Sequence, residues 1–216
     1  MRLTRWDRCL DSFKDANTCV FSLSEQGDLL SQWRGYSSSL GGYSIGFKKD
    51  LLASSLLTLG FSLEKCVYDR EKQEEMIHSL IDNLCKKYKN TKEENEDKIN
   101  HPSLSTNEFF SNVYNISPIL KNPSFSEERE WRIISRNGVN FNRLSFRVGK
   151  SMLTPFLKIA LPNFKHGLIN EIIVGHTPHL DLAKNSTQAC VFKRFPSPDD
   201  KGRPMVLTSK VPFRNW

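Results

Sequence analysis

Cysteine is scarce in this chain and poorly spaced for cross-linking or metal binding. The five cysteines (Cys9, Cys19, Cys66, Cys85 and Cys190) are odd in number, scattered, and include no Cys-x-x-Cys pair. That arrangement argues against a disulfide framework and against a zinc site. Several read as small core residues. No apolar run approaches the length of a membrane span, and the start Met1-Arg-Leu-Thr-Arg-Trp-Asp lacks the apolar centre of a signal peptide. The reading is a soluble, cytoplasmic protein without a membrane partner. A glycine-rich phosphate loop, a Gly-x-Ser-x-Gly elbow and a His-Glu-x-x-His pair are all missing, which argues against nucleotide hydrolysis, acyl transfer and zinc peptidase chemistry. His176 and His179, in Val174-Gly-His-Thr-Pro-His179, have no cysteine or carboxylate beside them in sequence, so they read as loop histidines and no metal is expected. His78 reads as structural, and His101 and His166 carry no pattern.

What is present suffices for a folded domain. At 216 residues and 38% hydrophobic, the chain can bury a substantial core, and one domain over 1–216 is the simplest division. The net charge of +7 is unevenly distributed. Residues 141–216 hold 12 Lys and Arg against 4 Asp and Glu, leaving a small negative balance for residues 1–140. Such asymmetry fits contact with nucleic acid or an acidic partner. It fits equally a solvated basic face, because Arg143, Arg147, Lys158 and Lys165 are spread along the chain.

Periodicity gives the element order. Leu3, Trp6, Leu10 and Phe13 predict a helix over 3–15; Thr18 to Leu23 reads as a strand; and a helical turn begins near Asp28 and runs to Tyr36. Residues 43–48 alternate as a strand in which Gly46 permits close approach. A helix follows at 50–59, a strand at 61–68, and a long amphipathic helix at 70–89 with the stripe Met76, Ile77, Leu80, Ile81, Leu84, Cys85 and Tyr88. Residues 89–100 are polar enough to read as a solvated charged loop. Asn107 to Val113 reads as helix, 144–149, 156–161, 170–175 and 205–211 as strands, and 179–186 as helix. Helices and strands without regular alternation predict an α+β fold, a mixed or antiparallel sheet with peripheral helices.

The most unusual stretch is Phe125-Ser-Glu-Glu-Arg-Glu-Trp-Arg-Ile-Ile134, which sets four charges against an apolar strand. Extended from Glu128, it places Glu128, Glu130 and Arg132 on one face and Arg129, Trp131 and Ile133 on the other. Neighbouring carboxylates repel unless a cation holds them. Arg34, within Ser31-Gln-Trp-Arg-Gly-Tyr36, is the candidate partner.

These two stretches, with Phe21-Ser-Leu-Ser-Glu25, Gly42-Tyr-Ser-Ile-Gly-Phe47, Glu171-Ile-Ile-Val-Gly175 and Ser209-Lys-Val-Pro-Phe-Arg214, resemble a bacterial family catalogued only as a domain of unknown function. The likeness runs over roughly residues 17–216. It implies a leading segment with a His-Tyr pair and an Asn-Asp-Pro-x-Glu stretch. Neither occurs before Thr18, so the expectation is a shortened chain or a start further upstream. More distantly, the layout is similar to ADP-ribosyltransferases, with Phe21-Ser-Leu-Ser24 for the serine strand and Glu128-Arg-Glu130 for the Glu-x-Glu pair. Arg34 follows Ser22, whereas that family's arginine precedes the serine strand.

That second resemblance implies a specific chemistry. Loss of nicotinamide from NAD passes through an oxocarbenium-like state, which a carboxylate stabilises. Glu130 is the candidate for that role, and Glu128 for orienting or deprotonating the acceptor. Arg34 suits a pyrophosphate, Trp33, Tyr36 and Tyr43 offer ring faces, Ser22 and Ser24 offer hydroxyls, and Arg132 is a further ligand-binding candidate. No cofactor is firmly implied; NAD is the candidate substrate, and a nucleic acid or protein the candidate acceptor. The plainer reading is that Arg34, Arg129 and Arg132 neutralise Glu127, Glu128 and Glu130 while Trp33 and Trp131 fill core. The alternative from another class is a non-catalytic module binding nucleic acid or protein through the basic last third.

Overall fold

The computed structural model describes residues 18–38, 41–94, 111–136, 139–162, 167–196 and 202–212; the helix expected at 3–15 lies outside them. In chain order the elements are β1 (Val20–Ser24), α1 (Leu30–Tyr36), β2 (Tyr43–Phe47), α2 (Lys49–Thr58), β3 (Phe61–Lys65), α3 (Arg70–Glu94), β4 (Glu130–Ser135), β5 (Ser145–Val148), β6 (Leu153–Phe156), β7 (Ile169–Val174), α4 (Leu180–Arg194) and β8 (Met205–Thr208). The fold is α+β, as the mixed pattern predicts. Its described strands make three small sheets: β1-β4-β3, β2-β7-β8 and the β5-β6 hairpin. No helix among the described residues is long and apolar enough to cross a membrane.

The chain divides into two compact units. One comprises the chain up to Ser22 with Glu64–Glu127 and Trp131–Lys158; the other comprises Leu23–Leu63, Glu128–Glu130 and the chain from Ile159. In the first unit Asp69 opens α3, its carboxylate accepting the Lys72 amide at 2.9 Å, as an N-cap does for an otherwise unpaired helix donor. Gln73 then ties the first turn down by donating to the carbonyls of Val67 at 2.6 Å and Lys121 at 2.8 Å. The helix continues to Glu94, into the stretch expected as loop. Lys and Glu are good helix formers once a helix is already propagating. Its apolar stripe is only partly covered: Met76, Leu80 and Leu84 are half-buried, but Ile77 and Ile81 stay exposed. Residues 111–116 are helical, covering the described end of the helix expected at 107–113; residues 107–110 lie outside the described residues.

The second unit is built on a crossover. β7 and β8 are parallel, with Glu171 opposite Met205 and Val174 opposite Thr208, and parallel neighbours need a connection long enough to return to the starting end. α4 supplies it. Its buried Val191, with Ile169 and Phe195, packs against Phe47, Ile172 and Val206. β2 pairs antiparallel with β7, Tyr43 opposite Val174, with an irregularity at Gly46/Phe47.

Other boundaries also differ from the sequence reading. β3 stops at Lys65 instead of 68, and β8 at Thr208 instead of 211. α4 runs eight residues past 186, because packing on β7 and β8 holds a second half that has little apolar periodicity of its own. The strand expected at 156–161 lies at Leu153–Phe156; Pro155, which reads as a breaker, is tolerated in a two-stranded hairpin where its missing N–H need not pair.

Leu168, wholly buried just ahead of β7, gives a direct check of this core. Truncation to alanine should cost about 2–5 kcal/mol in denaturant unfolding. Leu182→Ala, on an exposed face of α4, should change stability by no more than about 0.5 kcal/mol.

Candidate functional site

Asp28, in the second unit, accepts three hydrogen bonds through its carboxylate. One carboxylate oxygen accepts the Trp33 indole N–H at 2.8 Å and the Ser209 hydroxyl; the other accepts the Lys210 backbone N–H at 2.7 Å. Ser209 in turn donates its amide to the Val174 carbonyl at 2.8 Å. A residue just ahead of α1 is thereby bonded to the end of β8, more than 180 residues away. Partial burial pushes the Asp28 carboxyl up, but the hydrogen bonds from Ser209, Lys210 and Trp33 and the charge of Lys210 together hold it below its ordinary value.

Trp33, buried on the inner side of α1, is approached closely by Gly175. A Cβ on Gly175 would lie 2.8 Å from the Trp33 ring and 3.0 Å from the Gly42 carbonyl oxygen, and the Gly175 amide donates to that carbonyl at 2.9 Å. Trp33 therefore packs as core. Arg34, Tyr36 and Tyr43 are exposed, Tyr36 at 77% and Tyr43 at 59%. The anchored ring thus fixes the helix that carries Arg34 and Tyr36 outward. Gly46 does permit a close approach, by protein: the Glu171 side chain crosses it so tightly that a Cβ there would fall 2.8 Å from Glu171 Cγ.

The carboxylate segment departs from a simple strand. Pro123–Glu128 forms 3-10 turns, and Arg129 adopts φ 43°, the one non-glycine residue with positive φ among those described. Strand geometry begins only at Glu130. Glu128 therefore does not share a strand face with Glu130 and Arg132 through simple alternation. A left-handed residue with a Cβ costs roughly 1–2 kcal/mol, and the neighbouring chain holds it in place. The Ser24 hydroxyl donates to the Glu128 carbonyl at 2.8 Å, and the Glu25 amide to the Arg129 carbonyl at 3.2 Å. Just past this bend Glu130 is 4% exposed, and both Glu128 and Glu130 are engaged by partners. Arg34 is not the partner expected: among the described residues no ion pair joins it to either carboxylate.

In the first unit, Arg132 donates from Nη1 to the Pro118 carbonyl, so its guanidinium supports the 3-10 turn Ser117–Ile119. Ser22 is exposed on β1, and Arg129, His78, His176 and His179 are exposed. His101 and His166 lie outside the described residues. The sequence reading assigned no role to the Asp28 carboxylate or to its partners Ser209 and Lys210. Its only local signal was a carboxylate at a helix start followed five residues later by tryptophan.

Two substitutions test this anchor. Asp28→Asn should lower stability at neutral pH by about 1–2 kcal/mol, the scale of hydrogen bonds to a charged but partly exposed group. Because the folded carboxyl titrates below its ordinary 3.8, the stabilisation is complete above that value and is lost as pH falls through the folded pKa. The gap between the two proteins in urea midpoint should therefore close in acid. Gly175→Ala should cost about 1–3 kcal/mol by forcing the Trp33 ring away.

Comparison with known proteins adds a likeness to one family and no activity. No curated protein and no solved structure matches the chain, so the likeness to ADP-ribosyltransferases rests on the residue pattern alone. The family match spans Trp33, Arg34, Tyr36, Tyr43, Glu128, Glu130 and Arg132 but not Ser22, Ser24 or Asp28, a narrower reach than residues 17–216. Over residues 32–133 the chain is similar to the family described as "Protein of unknown function (DUF2971)".

Proposed function

We propose that the protein acts on a nucleotide, cleaving NAD at the bond between ribose and nicotinamide, with Glu130 as the principal carboxylate. The observation that carries this reading is the placement of Glu130, a buried carboxylate at the first residue of β4, immediately after the left-handed Arg129. Strained backbone and buried charge both cost stability, and both concentrate where a chain positions reacting groups. Glu130 would stabilise the positive charge that develops on the ribose as nicotinamide leaves with the bonding electron pair. Glu128, half-buried beside it in sequence, would take the proton of the attacking hydroxyl or water. Exposed Arg34 suits the pyrophosphate, and Tyr36 and Tyr43 offer accessible rings for the base. Trp33, being buried, anchors the helix that carries Arg34 and Tyr36 instead of stacking on ligand.

The test is nicotinamide release from NAD, with a bacterial lysate as acceptor source. The parent chain should release nicotinamide, and Glu130→Gln, confirmed folded by circular dichroism, should lower turnover by at least about a hundredfold, the usual scale for losing one transition-state electrostatic contact. Release that is equal in the two proteins would remove Glu130 from the mechanism. Absence of release from both would overturn the enzymatic reading in favour of a non-catalytic binding module.

A further inference from the structure

The entire net charge of +7 is matched by one acid-free stretch. From Trp131 to Asn170 there is no Asp or Glu, and there are seven Arg and Lys residues. The β5-β6 hairpin lies within it. Its register sets Phe146 opposite Pro155 and Val148 opposite Leu153 on one face, with Arg147 and Thr154 on the other. The first face is open to solvent: Phe146 is 57% exposed, Leu153 59%, and Val148 at the tip 90%. Met152, in the turn, is 65% exposed. The tip is shaped before any partner arrives. Gly149 donates its amide to the Met152 carbonyl at 2.9 Å, and a Cβ on Gly149 would fall 2.6 Å from the Thr154 hydroxyl oxygen. Arg143, Arg147 and Lys150 flank this apolar tip and are themselves exposed.

We propose that the β5-β6 hairpin docks on an anionic lipid bilayer, its apolar tip entering the interface while the surrounding Arg and Lys side chains pair with lipid headgroups. Two properties select this partner. A cationic stretch without any acidic residue fits a dense negative surface, and each basic residue near such a surface adds to binding. Phe146 is the one ring on this exposed face, and the tip beyond it is aliphatic: Val148, Met152 and Leu153 have no planar face on which a nucleobase could stack. Single-stranded nucleic acid sites use aromatic platforms for that purpose, whereas aliphatic side chains gain by leaving water for hydrocarbon. The absence of a spanning run, from which no membrane partner was expected, does not bear on attachment of this kind.

Co-sedimentation with vesicles tests the proposal. The full chain should bind vesicles of phosphatidylcholine mixed with phosphatidylglycerol and should fail to bind pure phosphatidylcholine. The double variant Val148→Asp with Met152→Asp, at sites exposed enough to leave the fold intact, should abolish sedimentation. Arg143→Glu with Arg147→Glu should lower it by more than about tenfold. Failure of the parent chain to bind the anionic vesicles, or undiminished binding by the folded tip variant, would overturn the proposal. Tight binding of a single-stranded oligonucleotide without vesicle binding would assign the same surface to nucleic acid instead.

Discussion

A single carboxylate holds the second unit in register. Asp28 joins the start of α1, the indole of Trp33 and the end of β8, and it does so with three donors on two oxygens. Gly175 leaves room for the ring, since a Cβ there would fall 2.8 Å from it. The consequences run outward. With the ring fixed, α1 presents Arg34 and Tyr36 to solvent, and the chain returns through Gly42 to begin β2 at Tyr43. The candidate ligand-binding residues of this unit are thus placed by a residue that touches no ligand in the proposed chemistry.

Glu130 is placed by a different device. The chain approaches it through 3-10 turns, reverses hand at Arg129 and enters β4 with the carboxylate already buried. Bonds from Ser24 and Glu25 to the carbonyls of Glu128 and Arg129 stabilise that bend. A segment needing only to cross a sheet could do so without a left-handed arginine. The bend sets the carboxylate at the first residue of the strand.

Much of the fold was legible because it follows short-range rules. The α+β class, the amphipathic α3, and strands β1, β2, β5 and β7 all come from local spacing. The misplacements have physical causes. Pro155 reads as a breaker until β6 is seen to belong to a two-stranded hairpin, and the second half of α4 has too weak an apolar pattern to declare a helix held by β7 and β8. Alternation through Glu128, Arg129 and Glu130 assumes strand backbone, and no rule of composition predicts that an arginine will take φ 43°. At the candidate site, Glu130 and Trp33 stand out by residue type, but their settings do not. The bonds from Asp28 to Ser209 and Lys210 join positions far apart in sequence, and only the folded chain brings them together.

The central claim, that Asp28 fixes Trp33 and through it α1, is tested most directly by hydrogen exchange of the Trp33 indole proton, followed by NMR in the native protein and in Asp28→Asn at neutral pH. The account predicts a protected indole proton in the parent and a much faster one in the variant, while the amide of Ile172 in β7 keeps its protection. Equal protection of the indole in the two proteins would contradict it.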